Sequence, residues 1–317
     1  MRHDVQTHKR LKVETPIFFT ENCGNGSFFY AGPAFIFAVL DVLIKLIGPE
    51  FRVWDIAFYR WGGGFALLLI IFGWRGNPLR TFNHKLMIIR SISGCIGFLC
   101  LITAIRLIPL STAMILFYCF PVFAAVFSVL IFGERISKKE ILCVIGALCG
   151  ATVLLDVKLG GNLFGHIIAW LGGAFAGLTV CLIKKLREKD GPVVIYLYFC
   201  MLGAIISFPA FIANPKIPES GTEWLMTAGI VCSSIVAQLL MNQGYQYCKS
   251  WEGGLFLTSE IIYAAAFGIY FLGELTTWRF WGGGLLIFGS VVYLNHVNAK
   301  RNSYSIKSVI QNHPSVQ

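Results

Sequence analysis

Long apolar stretches, each close to the length of a membrane-crossing helix, constrain this chain more than any other feature. Only 13% of its residues are charged, whereas soluble domains average about a quarter. A helix crosses a bilayer with about 20 apolar residues, and lipid offers the backbone no hydrogen-bond partners. The apolar stretches run over 30–47, 53–72, 86–105, 110–132, 141–155, 164–186, 193–212, 224–247, 254–272 and 280–295. We therefore predict an all-α integral membrane protein of about ten transmembrane helices.

The basic residues fall mainly at the two ends of the chain and in every second break between these stretches. Arg75 and Arg80, for example, lie in one such break, and Lys184 and Lys185 lie in another. Short loops rich in Lys and Arg stay on the cytosolic side. Both tails, 1–29 and 298–317, are thus expected to be cytosolic, with the short loops favouring a cell membrane. Because the basic residues lie between apolar stretches, the net charge of +10 does not indicate nucleic-acid binding.

An internal repeat divides the chain into two halves, 30–155 and 156–297. When the sequence is shifted by 140 positions without a gap, residues 104–134 fall on residues 244–274, and each segment ends Gly-Glu, at Glu134 and at Glu274. Five spans in each half is an odd number, so the halves are predicted to insert in opposite orientations. Inverted repeats are typical of carriers whose substrate lies near the midplane.

The segment 120–137 (FPVFAAVFSVLIFGERIS) resembles the first repeat of the EamA family of the drug/metabolite transporter superfamily. Phe58, Arg60 and the segment 271–276 (FLGELT) resemble the same family, and the similarity extends from about 30 to 297. The resemblance implies transport of a small molecule, with a central site bounded by spans one, three, four, six, eight and nine. One departure is notable, because Glu260-Ile261 stands where the first half has Phe120-Pro121.

Four ionisable residues lie deep inside predicted spans. By the rise of a helix, Asp41 and Arg60 both lie about 10 Å from one surface, and Glu260 and Arg90 lie about as deep from the other. Charges at such depths are costly, so each requires a partner or a hydrated cavity. Structural ion pairs (Asp41 with Arg60 or Lys45, and Glu260 with Arg90) are one interpretation. Binding of a charged substrate, or proton coupling through Asp41 and Glu260, is the other.

Polar and aromatic residues supply further candidates for substrate binding. Gln238 and Asn242 belong to a polar stripe on span eight, which is explained either by hydrogen bonds between helices or by lining of a cavity. Tyr118, Trp170 and Tyr263 lie far enough from the span ends to stack on a planar ligand. Pro121 interrupts the backbone ladder of span four, so it is expected to kink that helix, with a role as a gate or only in packing.

The residues as a whole favour a secondary transporter that moves a small organic metabolite by alternating access. An amino-acid-like, nucleobase-like or nucleoside-cofactor-like solute would suit the mixed charges and aromatic rings. No metal, cofactor or catalytic motif is predicted, and the cysteines do not form a metal-binding pattern. Two alternatives are a non-transporting membrane scaffold and a membrane-embedded lipid-modifying enzyme. The expected partners are the solute and the bilayer, and a homodimer is left open.

Overall fold

The computed structural model describes residues 28–73, 79–133, 136–154, 162–247 and 250–272, together with 278, 281–283, 285–286, 289–290 and 292–293. Within these ranges the chain is helical with no strand, which confirms the predicted all-α class. The helices are α1 (Phe28–Leu46), α2 (Val53–Phe72), α3 (His84–Leu107), α4 (Leu110–Phe117), α5 (Phe120–Phe132), α6 (Lys138–Leu154), α7 (Leu163–Leu186), α8 (Pro192–Ala213), α9 (Gly221–Gly244), α10 (Ser250–Leu257) and α11 (Glu260–Leu272).

Five of the described helices, α2, α3, α7, α8 and α9, are long and apolar enough to cross a membrane. Large apolar side chains on the outside of the bundle remain exposed, including Ile70, Leu130 and Tyr270, whose exposed fractions are 63%, 74% and 83%. Such a surface is matched by lipid rather than by water. Residues 1–27 and 298–317 of the two tails lie outside the described residues, as do Glu134 and Glu274 of the Gly-Glu sites and most of the loop around Arg75. The first tail is two residues shorter than predicted, because α1 begins at Phe28.

The fourth and ninth apolar stretches are each split into two helices. The first break lies at Tyr118-Cys119, between α4 and α5, and the second at Thr258-Ser259, between α10 and α11. The two breaks are 140 residues apart, and so are the bounds of the helices on either side. The repeat seen in the sequence is therefore also a repeat of local structure. Pro121 follows the first break, but Ile261 holds its place in the second, so proline alone does not explain the interruption.

The helix packing repeats in the same way. Helix α3 packs along α7, and their counterparts α9 and α1 pack along each other; α5 contacts α7 as α11 contacts α1. The contacts of α10 with α5 are matched by those of α4 with α11, while α2 and α8 pair directly. With the exception of α6, the described helices thus make their main contacts with the other half of the chain, and the interior of the bundle lies between the two halves.

Glycines on α7 allow the first helix break to approach closely. A methyl group at Gly177 would lie 2.6 Å from Cβ of Phe123 and 2.8 Å from the backbone nitrogen of Ala124. At Gly173 the same atom would lie 2.6 Å from the carbonyl oxygen of Phe117. Backbone atoms cannot move aside as a side chain can, so both positions require glycine. These small residues place the break against α7, as small residues do at helix interfaces in membranes.

We predict that Gly177→Ala destabilises the protein, since the added methyl group overlaps the backbone of α5. The expected cost is about 1–3 kcal/mol, in the range for overpacked interiors. Thermal unfolding of purified protein in detergent measures it. Gly221→Ala is the matched control, because a Cβ there would have nothing within 4 Å. Equal melting temperatures for the two variants would contradict the close approach.

Polar contacts join helix ends at both ends of the bundle. At one end, Arg52 pairs with Asp55 at 2.9 Å and donates to the carbonyl oxygens of Ala210 and Asn214 at the end of α8. Arg106 donates there to the carbonyl oxygens of Gly48 and Phe51 at 2.6 and 3.0 Å. At the other end, Arg187 donates to the side-chain oxygens of Gln243 and Gln246, at 2.9 and 2.5 Å. Hydrogen bonds thus connect neighbouring helices at both ends of the bundle.

Candidate functional site

A cavity lies between the two halves of the chain. It is lined by Phe37, Leu40 and Asp41 of α1; Arg60 of α2; Arg90, Gly94, Gly97, Phe98 and Leu101 of α3; Phe117, Tyr118 and Phe120 at the first break; Ala176, Thr179 and Val180 of α7; Phe199 of α8; Gln238 and Met241 of α9; and Leu257 and Glu260 at the second break. Its volume is about 120 Å³, below the roughly 300–1,000 Å³ that is typical of pockets for small organic ligands.

The two helix breaks meet at an acidic cluster on one side of this cavity. Tyr118, at the first break, donates its hydroxyl proton to Oε2 of Glu260, which is the first residue of α11. Asp41 of α1 lies within hydrogen-bonding range of Glu260, and the exposed fractions of the two acids are 2% and 3%. Two buried carboxyl groups this close repel each other when both are ionised. Asp41 and Glu260 thus form the acidic side of the cavity.

Arg60 is held in the cavity wall by several protein groups. Its Nε donates to Oγ of Ser234 at 2.5 Å, and its guanidinium lies 3.5 Å from the centre of the Phe98 ring. Tyr196 bonds the same hydroxyl of Ser234 at 3.0 Å. Asp41 attracts Arg60 electrostatically without a direct ion pair. Hydrogen bonding and the face of an aromatic ring together offset much of the cost of burying this cation.

Arg90, by contrast, has few protein partners. It is 1% exposed, and its Nε and Nη1 atoms have no hydrogen-bond partner in the described part of the chain. The guanidinium lies 4.7 Å from the centre of the Phe199 ring. Of the ion pairs that the sequence suggested, Asp41 with Arg60 and Glu260 with Arg90 are thus not formed among the described residues. Lys45 donates to the carbonyl oxygens of Ile105 and Ile108 at 2.6 and 3.4 Å.

Three of the predicted binding residues do not line this cavity. Asn242 is completely buried and donates to the carbonyl oxygen of Pro192 at 3.2 Å, which ties α9 to α8. Trp170 is 49% exposed and packs edge-on against Phe123 with ring centres 5.0 Å apart. Tyr263 packs edge-on against Phe35 at 5.5 Å. Distance from a helix end predicts depth but not the face on which a side chain lies, which explains these differences.

Several residues that shape the cavity were missed in the sequence. Ser234 precedes Gln238 by four residues and so belongs to the same polar stripe, which was a usable signal. The rings of Phe98 and Phe199 cover Arg60 and Arg90, respectively. The sequence carries no signal for these contacts, because each ring lies on a different helix from the arginine that it covers. Pro121 lies at the start of α5, and its Cα is 3.5 Å from the position of a Cβ on Gly254.

The charges of the cavity are distributed unequally between the halves. At the 140-residue offset, Asp41 corresponds to Cys181, Arg60 to Cys200 and Phe120 to Glu260. Asp41 and Arg60 therefore have no charged counterpart in the second half, and Glu260 has none in the first. Among the described residues, no group of three or more His, Cys, Asp or Glu side chains is arranged to hold a metal ion.

Comparison with known proteins agrees with this architecture. A solved crystal structure superposes with a TM-score of 0.69 over 88% of this chain and 98% of its own, at 18% sequence identity, which shows a shared fold. The pseudopaline exporter CntI of Pseudomonas aeruginosa is 22% identical over 83% of this chain and 93% of its own length. Human solute carrier family 35 member G1 is 21% identical over 85% of this chain and 78% of its own.

An all-helical bundle with an internal charged cavity and an apolar outer surface defines a multi-pass membrane protein. The profile of the EamA-like transporter family matches residues 24–156 and matches again over 163–296. Since the two matches cover most of the chain, the protein belongs to the EamA-like transporter family. The resemblance found in segments 120–137 and 271–276 is thereby confirmed, and membrane transport is the activity of its named relatives.

We predict that Ser234→Ala destabilises the protein, because it removes the acceptor of the buried Nε of Arg60. Leaving such a donor unsatisfied costs about 1–3 kcal/mol, measurable as a lower melting temperature. Ser233→Ala is the neighbouring control, since the Ser233 hydroxyl bonds only backbone carbonyls of its own helix, at 2.6 and 3.3 Å. If both variants melt together, the Arg60–Ser234 bond contributes nothing to stability.

Proposed function

We propose that this protein is a secondary transporter that carries a small organic solute across a cell membrane by alternating access. In this proposal the chain makes ten spans, arranged as two inverted five-helix halves with both termini in the cytosol. The solute binds in the cavity between the halves, and rocking of one half against the other exposes it to each side in turn.

The observation that carries this proposal is the cavity with Asp41, Arg60, Arg90 and Glu260 in its wall. Each charge inside a bilayer costs about 2.5–3.5 kcal/mol on insertion scales, so a helix bundle that needed only stability would use apolar residues here. The charges converge on one space between the halves instead of being scattered through the interior. A scaffold or packing partner has no use for such a space, and a site for a polar solute does.

The chemistry of the wall limits the class of solute. The cavity wall contains two acids and two arginines together with five aromatic rings, those of Phe37, Phe98, Phe117, Phe120 and Phe199. Amino-acid-like, nucleobase-like and nucleoside-cofactor-like molecules all combine a polar group with an apolar or planar part. The relative named an exporter of pseudopaline supports transport of a small molecule, and the direction of transport by this chain is open to experiment.

Uptake by reconstituted liposomes tests the role of the acidic cluster. The solute is chosen as whichever amino acid, nucleobase, vitamin or nucleoside cofactor most raises the melting temperature of the purified protein. Asp41→Asn and Glu260→Gln are each expected to slow uptake at least tenfold, a loss of about 1.4 kcal/mol in the limiting step, and to flatten its pH dependence. Glu188→Gln is the control, because Glu188 lies in a loop and is half exposed. Unchanged uptake in both cavity variants would remove the acids from the mechanism.

Labelling from the two sides of the membrane tests the inverted halves. Glu50 follows α1 and Glu188 follows its counterpart α7, with exposed fractions of 72% and 51%. Cysteine introduced at the first position should react with a membrane-impermeant maleimide from outside intact cells, and cysteine at the second only after permeabilisation. The unsubstituted protein measures the background from native cysteines. Reaction of both positions from the same side would refute the inverted arrangement.

A further inference from the structure

The unpaired guanidinium of Arg90 is the least explained group in the cavity. Arg90 lines the cavity, is 1% exposed, and has two nitrogen atoms, Nε and Nη1, without an acceptor in the described residues. A buried charge without a partner is strongly unfavourable, and removing one member of a buried pair is correspondingly costly. Ionisable side chains inside membranes are rare, and many mark substrate or ion pathways.

The groups around Arg90 do not include a carboxylate. Its electrostatic neighbours are Cys95 on its own helix, Arg60 on α2, and Tyr196 and Cys200 on α8. The side chains that share its part of the cavity wall from α7 and α9, such as Thr179 and Gln238, are uncharged. Cysteine and tyrosine are neutral near pH 7, and Arg60 repels Arg90. The cavity is therefore cationic at Arg90 and acidic at Asp41 and Glu260.

We propose that Arg90 binds the carboxylate of a zwitterionic solute whose cationic group lies at Asp41 and Glu260. The proposal rests on the transport function above and gives the substrate a class, an organic molecule with one amine and one carboxylate. A guanidinium presents parallel N–H donors that match the two oxygens of a carboxylate. Arg60 does not serve this purpose to the same degree, because Ser234, Phe98 and Tyr196 already hold it in place.

Matched ligands test the cationic side of the cavity, at Arg90, separately from its acidic side, at Asp41 and Glu260. The probes are phenylalanine and leucine, each compared with the amine that lacks its carboxylate and with the acid that lacks its amine. Dissociation constants are obtained from the melting temperature of the full-length protein in detergent at increasing ligand concentrations. The melting temperature rises with the ratio of the ligand concentration to the dissociation constant. For the unsubstituted protein we expect at least one of the amino acids to bind tenfold or more tightly than either of its truncated forms. No preference for the amino acids would overturn the proposal.

Arg90→Met should abolish this preference in a specific way. Affinity for the amino acid is expected to fall at least tenfold, to that of the amine, while affinity for the amine itself stays within twofold. In Asp41→Asn, affinity for the amino acid should fall to that of the acid that lacks the amine, while affinity for that acid stays unchanged. Lys185→Met, in the last turn of α7 and in an exposed ion pair with Glu188, controls for net charge and should change neither. An equal loss of amino acid and amine in Arg90→Met would show general damage to the cavity and overturn the assignment.

Stability without ligand supplies a second readout, which a structural arginine would move differently. Arg90→Met should melt at the same temperature as the unsubstituted protein or higher, because no protein acceptor is lost. Arg60→Met should melt lower, because its bond to Ser234 and its contact with Phe98 are lost. A lower melting temperature for Arg90→Met, together with an unchanged preference for the amino acid, would assign Arg90 to the framework and overturn the proposal.

Two further arms separate this inference from its nearest alternatives. Sodium chloride and sodium acetate are tested at equal ionic strength, and stabilisation by either as large as that by the amino acid would assign Arg90 to a free anion and overturn the zwitterion. Liposome uptake of the best-binding amino acid then tests transport. Tight binding that depends on Arg90 without uptake would refute the transport function and leave the binding site standing. Uptake of that amino acid by Arg90→Met at the unsubstituted rate would refute the site and leave transport standing.

Discussion

Burying ionisable groups in an apolar bundle is the constraint on which the rest of this structure depends. Asp41, Arg60, Arg90 and Glu260 have exposed fractions of 1–3%, and bilayer and helices alike offer them little compensation. Hydroxyl groups and an aromatic ring provide part of this compensation. Tyr118 hydrogen-bonds Glu260, and Arg60 contacts Ser234 and the face of Phe98. Compensation is incomplete at Arg90, which lies on the face of Phe199 but whose Nε and Nη1 atoms lack a hydrogen-bond acceptor among the described residues. The cavity wall thus combines charges that protein groups compensate with one charge that they compensate only in part.

The two helix breaks make this arrangement sterically and electrically feasible. A continuous helix would keep its backbone groups paired and its side chains at fixed spacings, whereas each break ends one helix and begins another. Glu260 lies at the start of α11, where the partial positive charge of a helix N-terminus favours an acidic side chain. Gly173 and Gly177 let the first break approach α7. Backbone and side chains therefore cooperate to place an acid in the interior.

Much of this fold follows from the sequence, because apolar length and a gap-free repeat are strong signals that need no knowledge of packing. The stretch 53–72 coincides with α2, and most of the other stretches agree with their helices to within a few residues. The candidate site was predicted less completely. Depth along a helix correctly suggested that Asp41, Arg60, Arg90 and Glu260 lie deep in the bundle, but pairing them required knowing that α1 packs on α11. The same ignorance of helix rotation placed Trp170 among the binding candidates, although it lies on the outer face.

In the second half, the counterparts of Asp41 and Arg60 are the uncharged Cys181 and Cys200. This difference between the halves has a consequence for the proposed transport cycle. Two halves of identical sequence could exchange shapes with no change in energy, and such a carrier would rest equally often facing either side. Here the halves share a backbone plan while most of the buried charge belongs to the first. The exchange then moves those charges between unequal surroundings, so an empty carrier of this design has a preferred resting orientation even when no gradient is applied.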